Sequence, residues 1–458
     1  MCIVFWSTPQ QGPYSLIVAS NRDEFLARPT VEAGWHDWSP PSSSGSSESS
    51  SSGNPERTAS RPMKQHRILY GLDLIAGGTW FGISLPPTVS SPSQSSADTA
   101  TQNPGSSSPT DKRPTRPSMR FATLTNFTET LLPPPPSSEE TVRPSRGNLV
   151  RDFLDLDLHL DSTSSSSAPS TSEPASEPTR GGGKTLETFL AEVEEVKGDY
   201  AGFNLLIGEI TLPPGPDPPP SPSSSTSPAP ETNPRPAVRL GYISNRESTS
   251  TSPTSHQPKV ARILARPSLK DAEGDRNQVV VHGLSNATLE VEEGEEEWPK
   301  VKSGAKAVEK VVREVCLDRA QAQEGVSKED ESGDEKVREE RLVKGLYEAL
   351  STPHPSPISH RTHLRHTVLV QPLLLDPLAP IPAIPPPFPP VPSSTPSSTC
   401  SGRKEGDKGA RWYATRVQTI LLVGRDGKVV FREREGFGLD GEGGVEWKGR
   451  ERRFEFDV

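Results

Sequence analysis

The residues best suited to chemistry lie at the start of the chain. Cys2 follows Met1 directly, and one strand-length later come Asn21, Arg22, Asp23 and Glu24 in the run "NRDEF". If Met1 is removed, the chain end carries a thiol and an α-amine on one residue. An amine with an ordinary pKa of about 8 then serves as proton acceptor for its own side chain, so one residue supplies nucleophile and base. The plain alternative is a cysteine that packs as a small hydrophobe. Asp23 is placed to orient such an amine by a charge-assisted bond, and Asn21 to donate to an oxyanion. An Asx-turn with a surface Arg22–Glu24 pair would explain the same four residues without function.

Further candidates are scattered along the chain. In "AGGTWFGIS", Gly77 and Gly78 permit close backbone approach, while Trp80 and Phe81 provide apolar walls; a strand-to-strand turn accounts for the run equally well. Asn126 closes the strand "ATLTNF" and Asn286 follows "VVVHGLS". Neutral amides at strand ends are natural oxyanion donors. Arg416, which "WYATRVQTILLV" places at the start of a strand, and Arg22 are cations for a carboxylate, a phosphate or a polarised carbonyl. Other motifs fail on inspection. "GGGKT" has Pro178 where a phosphate loop needs its first glycine, and a Ser/Pro stretch precedes it in place of a strand. His360, His363 and His366 recur every third residue without a cysteine or carboxylate to complete a metal set, which reads as a solvated linker edge. His282 is a candidate haem ligand, with a satisfied core or cleft histidine as the plainer reading.

The elements that must position these groups are mostly strands. "YSLIVAS" puts Tyr14, Leu16 and Val18 on one face, and the polar run after it is expected to end burial. "GFNLLIGEI", "AVRLGYIS" and "VVVHGLS" follow the same pattern, and "HTVLVQPLLL" reads as an apolar strand. "RVQTILLVGRDGKVVFRERE" predicts a hairpin turning at Asp426-Gly427. Helical spacing appears in "TLETFLAEVEEV", "GAKAVEKVVREVCLD" and "RLVKGLYEAL". Strands at both ends with helices between predict an α+β arrangement of helices on antiparallel sheets.

Composition limits how much of the 458-residue chain joins a core. With 51 prolines and 31% hydrophobic residues, Pro/Ser-rich segments are expected as disordered insertions at 39–66, 85–118, 132–145, 161–184, 212–236, 248–258, 320–336, 351–362 and 376–410. Subtracting low-complexity sequence leaves about 260 residues, the size of a single packed domain. A net charge of −10 argues against a nucleic-acid surface or a polybasic membrane patch. No basic stretch leads the first apolar run and no segment is long enough to span a bilayer, so a cytoplasmic address is expected. Cys2, Cys316 and Cys400 lie too far apart in setting to suggest a disulfide framework. The proline spacing of 377–398 would suit an aromatic groove on a protein partner, with a solvated spacer as the alternative.

Taken in order, "MCIVFW", "NRDEF", "AGGTWFGIS", "ATLTNF", "RGNLVRDFL", "YAGFNLLIG", "HGLSN", "EWPKV" and "YATRVQTILLV" closely resemble the NRDE family, also called the transport and Golgi organisation protein 2 family. The resemblance runs from Met1 to about Glu435, and the Pro/Ser insertions are this chain's additions. It implies a role in Golgi organisation and protein secretion, with Golgi or mitochondrial association. It also implies a small-molecule or lipid ligand such as acyl-CoA or haem, and no required cofactor. A more distant likeness, to N-terminal-nucleophile hydrolases of the choloylglycine and penicillin V acylase kind, implies a four-layer αββα sandwich and an amide-hydrolysing or acyl-transferring activity. Carried over by position, it makes Cys2 the nucleophile, Asp23 the group orienting the amine, Asn126 and Asn286 oxyanion or amine contacts, and Arg416 a substrate or nucleophile contact. Those hydrolases hold an arginine where this chain has Ser20, and Arg22 replaces it only if it faces the same side.

Overall fold

The computed structural model describes residues 2–36, 67–85, 118–126, 143–155, 185–211, 236–245, 262–264, 279–287, 289, 297–317, 331–376 and 411–457. The chain is mixed α and β with antiparallel sheets, and its strands in order are β1 (Ile3–Ser7), β2 (Tyr14–Phe25), β3 (Thr30–His36), β4 (Arg67–Asp73), β5 (Phe81–Leu85), β6 (Ser118–Asn126), β7 (Phe203–Thr211), β8 (Ala237–Ser244), β9 (Arg262–Leu264), β10 (His282–Leu284), β11 (Leu373–Leu375), β12 (Arg411–Gly424), β13 (Lys428–Glu435), β14 (Phe437–Leu439), β15 (Val445–Trp447) and β16 (Glu451–Asp457). The helices are α1 (Gly147–Leu154), α2 (Leu186–Val196), α3 (Pro299–Cys316) and α4 (Glu331–Leu350). One sheet runs β10-β1-β2-β12-β13-β16, with β11 also paired to β12; the second is a meander from β3 to β9 in chain order; β14 and β15 form a small ribbon.

Strand β2 shows how the sequence builds this. Leu16 and Val18 join apolar residues of both large sheets, among them Leu69, Phe81, Phe121, Leu206 and Phe431. Ile17 and Ala19 point the other way, into a cluster with Val301, Val308 and Val312 of α3 and Leu342, Leu346 and Leu350 of α4. A strand buried on both faces needs a continuous apolar run, which is what this segment has. The second sheet is covered similarly: Ala122, Leu124, Leu205 and Ile207 pack on Val150 and Phe153 of α1 and Phe189 and Leu190 of α2. Tyr14 departs from the expected face. A register shift opposite Val423 and Gly424 sends it to the helix side with Ile17.

Several expectations need correction. Polar residues do not end burial in β2, which continues to Phe25 with Asn21, Arg22 and Asp23 all buried. "HTVLVQPLLL" yields only the three residues of β11, because Pro372 lacks the N–H that a ladder needs. "VVVHGLS" shrinks to β10. Residues 331–336, expected within an insertion, begin α4. Residues 351–362 are described too: the Leu369 N–H donates to Thr352 O (3.1 Å), the His354 N–H to Thr367 Oγ1 (3.1 Å), and a 3₁₀ turn follows at Arg361–Arg365. His363 is buried there, so this is not a solvated edge. The other expected insertions, apart from their end residues, lie outside the described residues, as do the Pro-rich stretch 377–398 and all of "GGGKT" except Thr185, which caps α2 by accepting from the Thr188 N–H.

Helix α3 meets β1 at close range. A Cβ placed on Gly304 would lie 2.2 Å from Phe5 Cζ. Gly304→Ala should therefore destabilise the fold by about 1–3 kcal/mol through overpacking, against the gain in helix propensity. A lowered urea midpoint checks this; a raised one would show that Phe5 gives way.

Candidate functional site

Pairing of β1 with β2 sets Ile3 opposite Asn21, which brings Cys2 to the Arg22–Asp23 segment. Cys2 is half-buried, and its carbonyl accepts from Ser285 Oγ at 2.7 Å. Asp23 is 3% exposed; its Oδ1 accepts from Thr415 Oγ1 at 2.6 Å and its carbonyl from Tyr413 Oη at 3.0 Å. Burial pushes the Cys2 thiol above its ordinary value; the positive amino terminus opposes this, the Asp23 charge adds to it, and the Asp23 N–H and Arg22 pull it back. Burial also raises the Asp23 carboxyl, against the amino-terminal charge, Lys300 and the Thr415 bond. The two groups expected to cooperate thus share one electrostatic environment.

Lys300 belongs to it as well, and sequence reasoning missed it. Sitting in the first turn of α3, it is wholly buried, and its Nζ has no hydrogen-bond partner among the described residues. Burial lowers the proton affinity of the amine, while Asp23 and Cys2 raise it. The available signal was its spacing: Lys300 stands four residues before Gly304 and eight before Val308, on the buried stripe of the helix.

The opposite face of β2 carries a different cluster. Arg22 lies over the Trp80 ring at 4.1 Å, with Nη2 3.5 Å from Asp73 and 3.9 Å from Glu24. Arg28 pairs with Asp73 at 2.6 Å. Arg416 is the extra residue of a bulge in β12, where Thr415 pairs with Asp23 and Val417 with Arg22. Its guanidinium donates to the carbonyl oxygens of Arg28 and Phe25 and to Thr30 Oγ1, and burial together with Arg22 lowers its pKa to about 10. It is thus inside a strand and not at its start, on the Arg22 side.

The remaining candidates divide. Both amide hydrogens of Asn21 go to backbone carbonyls, of Leu350 and Val368 at 2.9 Å each, and its Oδ1 accepts from Gln418 at 3.2 Å. It fastens α4 to β2 and has no donor left for an oxyanion. Phe81 is core, edge-on to Phe431, and not a wall of an open site. Asn286 Nδ2 donates to the carbonyl of Asn126. Around this pair, Thr125 Oγ1 donates to Ser285 O at 2.6 Å, Asn204 Nδ2 to Ser285 O and Ala287 O, and Tyr242 Oη to Asn204 Oδ1 at 2.9 Å. Ser285, Asn204 and Thr125 therefore hold the loop against which Cys2 rests, a role without a sequence motif. His282 is exposed and stacks on Trp6, ring centroids 5.4 Å apart. A cleft of about 360 Å³ opens elsewhere, lined by Tyr14, Arg338, Glu339, Arg425 and Lys428; none of the candidates above lines it. Among the described residues no His, Cys, Asp or Glu group is arranged to hold a metal ion.

Two outcomes follow from this geometry. Asn21→Ala should cost about 1–3 kcal/mol in urea unfolding, since it orphans buried carbonyls; an oxyanion donor would be lost without that cost. Glu433, 3% exposed beneath Arg22, has its carboxyl pushed up to about 7 by burial. The folded state keeps this proton where the unfolded chain, at the ordinary 4.5, releases it. Stability at this group is therefore lost as pH rises from about 4.5 to 7, by up to about 1.4 kcal/mol per pH unit. Glu433→Gln should flatten that slope in urea midpoints taken between pH 5 and 8.

No helix among the described residues is long and apolar enough to cross a membrane. The family model described as "Transport and Golgi organisation 2" matches residues 1–53 and 114–436. A curated relative, "Transport and Golgi organization protein 2" of Drosophila melanogaster, is 58% identical over 36 residues, a stretch covering 7% of this chain and 13% of the relative. The family match takes in every candidate residue except Trp80 and Phe81, and on its extent the chain belongs to the Transport and Golgi organisation 2 family.

Proposed function

We propose that this chain acts in Golgi organisation and protein secretion by binding and trafficking a small ligand with an acyl or lipid tail, such as an acyl-CoA, at the Cys2–Asp23 site. The observation that carries this reading is the half-buried thiol beside the Asp23 carboxyl, with Arg22 on the reverse face of the same strand and Arg416 of the neighbouring β12 on that side. A thiol raised by burial rests protonated, which suits holding a ligand better than attacking one. It also suits haem less well, since iron takes the thiolate. Association with Golgi or mitochondria belongs to the same proposal, as do protein partners for the Pro-rich insertions.

Palmitoyl-coenzyme A titrated into the purified full chain should bind saturably, and prior alkylation of the half-buried Cys2 with iodoacetamide should weaken it roughly tenfold by filling the site. Absence of saturable binding, to this probe and to lysophosphatidate, would overturn the proposal.

A second reading is an N-terminal-nucleophile acyl or amide hydrolase that uses Cys2 after Met1 removal. Its support is the shared core between the two sheets with helices on the outer side of each, the αββα order of such enzymes, together with Asp23 at the thiol. An electrophilic acyl probe should then form a thioester at Cys2 and be lost in Cys2→Ala. Labelling at other residues only, or an intact mass that retains Met1, would remove this reading.

A further inference from the structure

Lys300 occupies a position at which a charged residue is disfavoured in three independent ways. It is wholly buried, its Nζ has no hydrogen-bond partner among the described residues, and it lies in the first turn of an 18-residue helix whose positive end repels an ammonium. The first turn of α3 has no acidic residue, and no side chain caps it. Its aromatic contact among the described residues is a long cation–π contact, Nζ standing 5.7 Å from the Trp298 ring centroid. Neighbouring positions on the same stripe, Val301 and Gly304, pack against Gly283 and Phe5 as ordinary core. A methionine or leucine here would serve packing better. The groups within electrostatic reach of the amine are Asp23 of β2 and Cys2 at the head of β1.

We infer that Lys300 is a positioning residue for Cys2: its buried amine, as the ammonium, balances the charge of the Cys2 thiolate, and it does so whether or not Met1 is retained. The inference rests on the Cys2 site proposed above. The step is the loss of one proton from the thiol: the S–H bond breaks, the proton leaves to water at the half-buried Cys2, and the product is a thiolate within electrostatic reach of an ammonium, with Asp23 the neighbouring carboxyl. The charged groups facing this pair are the amino terminus, Asp23 and Arg22, with Glu24 acting on Asp23 from the next position. The thiol and amine titrate together, and removing the ammonium raises the apparent pKa of the thiol.

Iodoacetamide labelling of the full chain between pH 5 and 9, read at the Cys2 peptide by mass spectrometry, tests this. Lys300→Met should move the labelling midpoint up by about one pH unit, roughly tenfold slower reaction at pH 7, while the plateau rate at high pH stays. Its thermal midpoint should be equal to or above that of the unaltered chain. Asp23→Asn should move the labelling midpoint the other way. A merely structural lysine would change the plateau rate or the thermal midpoint and leave the labelling midpoint in place, which would overturn the inference. If Lys300→Met does not fold, Lys300→Gln is read by the same criterion. No labelling of Cys2 at any pH in the unaltered chain would instead overturn the Cys2 site and this inference with it, whereas labelling with an unmoved midpoint overturns the inference alone.

Discussion

The arrangement depends on β2 staying a strand through its polar end. β1 pairs with its residues Ile17 to Asn21, and β12 pairs with it on the other side from Tyr14 to Phe25, through the polar end. Because the ladder satisfies the backbone, Asn21, Arg22, Asp23 and Glu24 must dispose of their side chains by alternation. Asn21 and Asp23 go to the helix side and Arg22 and Glu24 to the side of the second sheet. The two sets of side chains are thereby turned to opposite faces, while Cys2, at the end of β1, lies within electrostatic reach of both Asp23 and Arg22.

Much of this was legible in the sequence, and the exceptions have physical causes. The hairpin around Asp426-Gly427, β6, β7, β8 and α2 fall where period and turn residues put them, since each is long and patterned on at least one face. Asp23 was read as part of a site on its residue type and on the distant hydrolase likeness, and register brings it to Cys2. The reading failed where tertiary pairing overrides local chemistry. A run of polar residues looks like a turn until a neighbouring strand, here β12, supplies partners, and Asn21 looks like a free donor until α4 ends against it. Arg416 looked like a strand-start residue because a bulge leaves no mark in composition. The residues holding the Cys2 loop, Ser285, Asn204 and Thr125, are small and polar and are common at strand ends generally. Lys300 hid for a further reason: a lysine on an apolar stripe is ordinarily read as snorkelling to solvent, and only coordinates reveal that no exit exists.

The cost of these placements is distributed unevenly. Glu339 is buried, but Arg432 at 3.2 Å, Lys428 at 3.2 Å and Arg453 at 2.8 Å surround it, so its charge is compensated several times over. Arg120 and Glu209 pair at 3.2 Å within the second sheet. Such pairs repay part of their desolvation and fix how α4 or a strand registers on its neighbour. Arg22 is compensated less fully: Asp73 and Glu24 are at the margin of contact, and Nη1 has no partner among the described residues. Lys300 has still less.

That gradient bears on where function resides. Packing and register explain the charges around Glu339, which would be kept in any chain needing α4 at that angle. They do not explain a cysteine at the very start of β1, a carboxyl buried at its side and an amine buried without a hydrogen bond among the described residues in the adjoining helix turn. Each of these is disfavoured alone, and apolar substitutes are available for all three. Their joint presence at one end of one sheet is accounted for if each alters the proton affinity of the others, because the coupling is then what the position supplies. The opposite end of β2 carries Tyr14 and the 360 Å³ cleft, so the proposed Cys2 site and the cleft lie at the two ends of one strand.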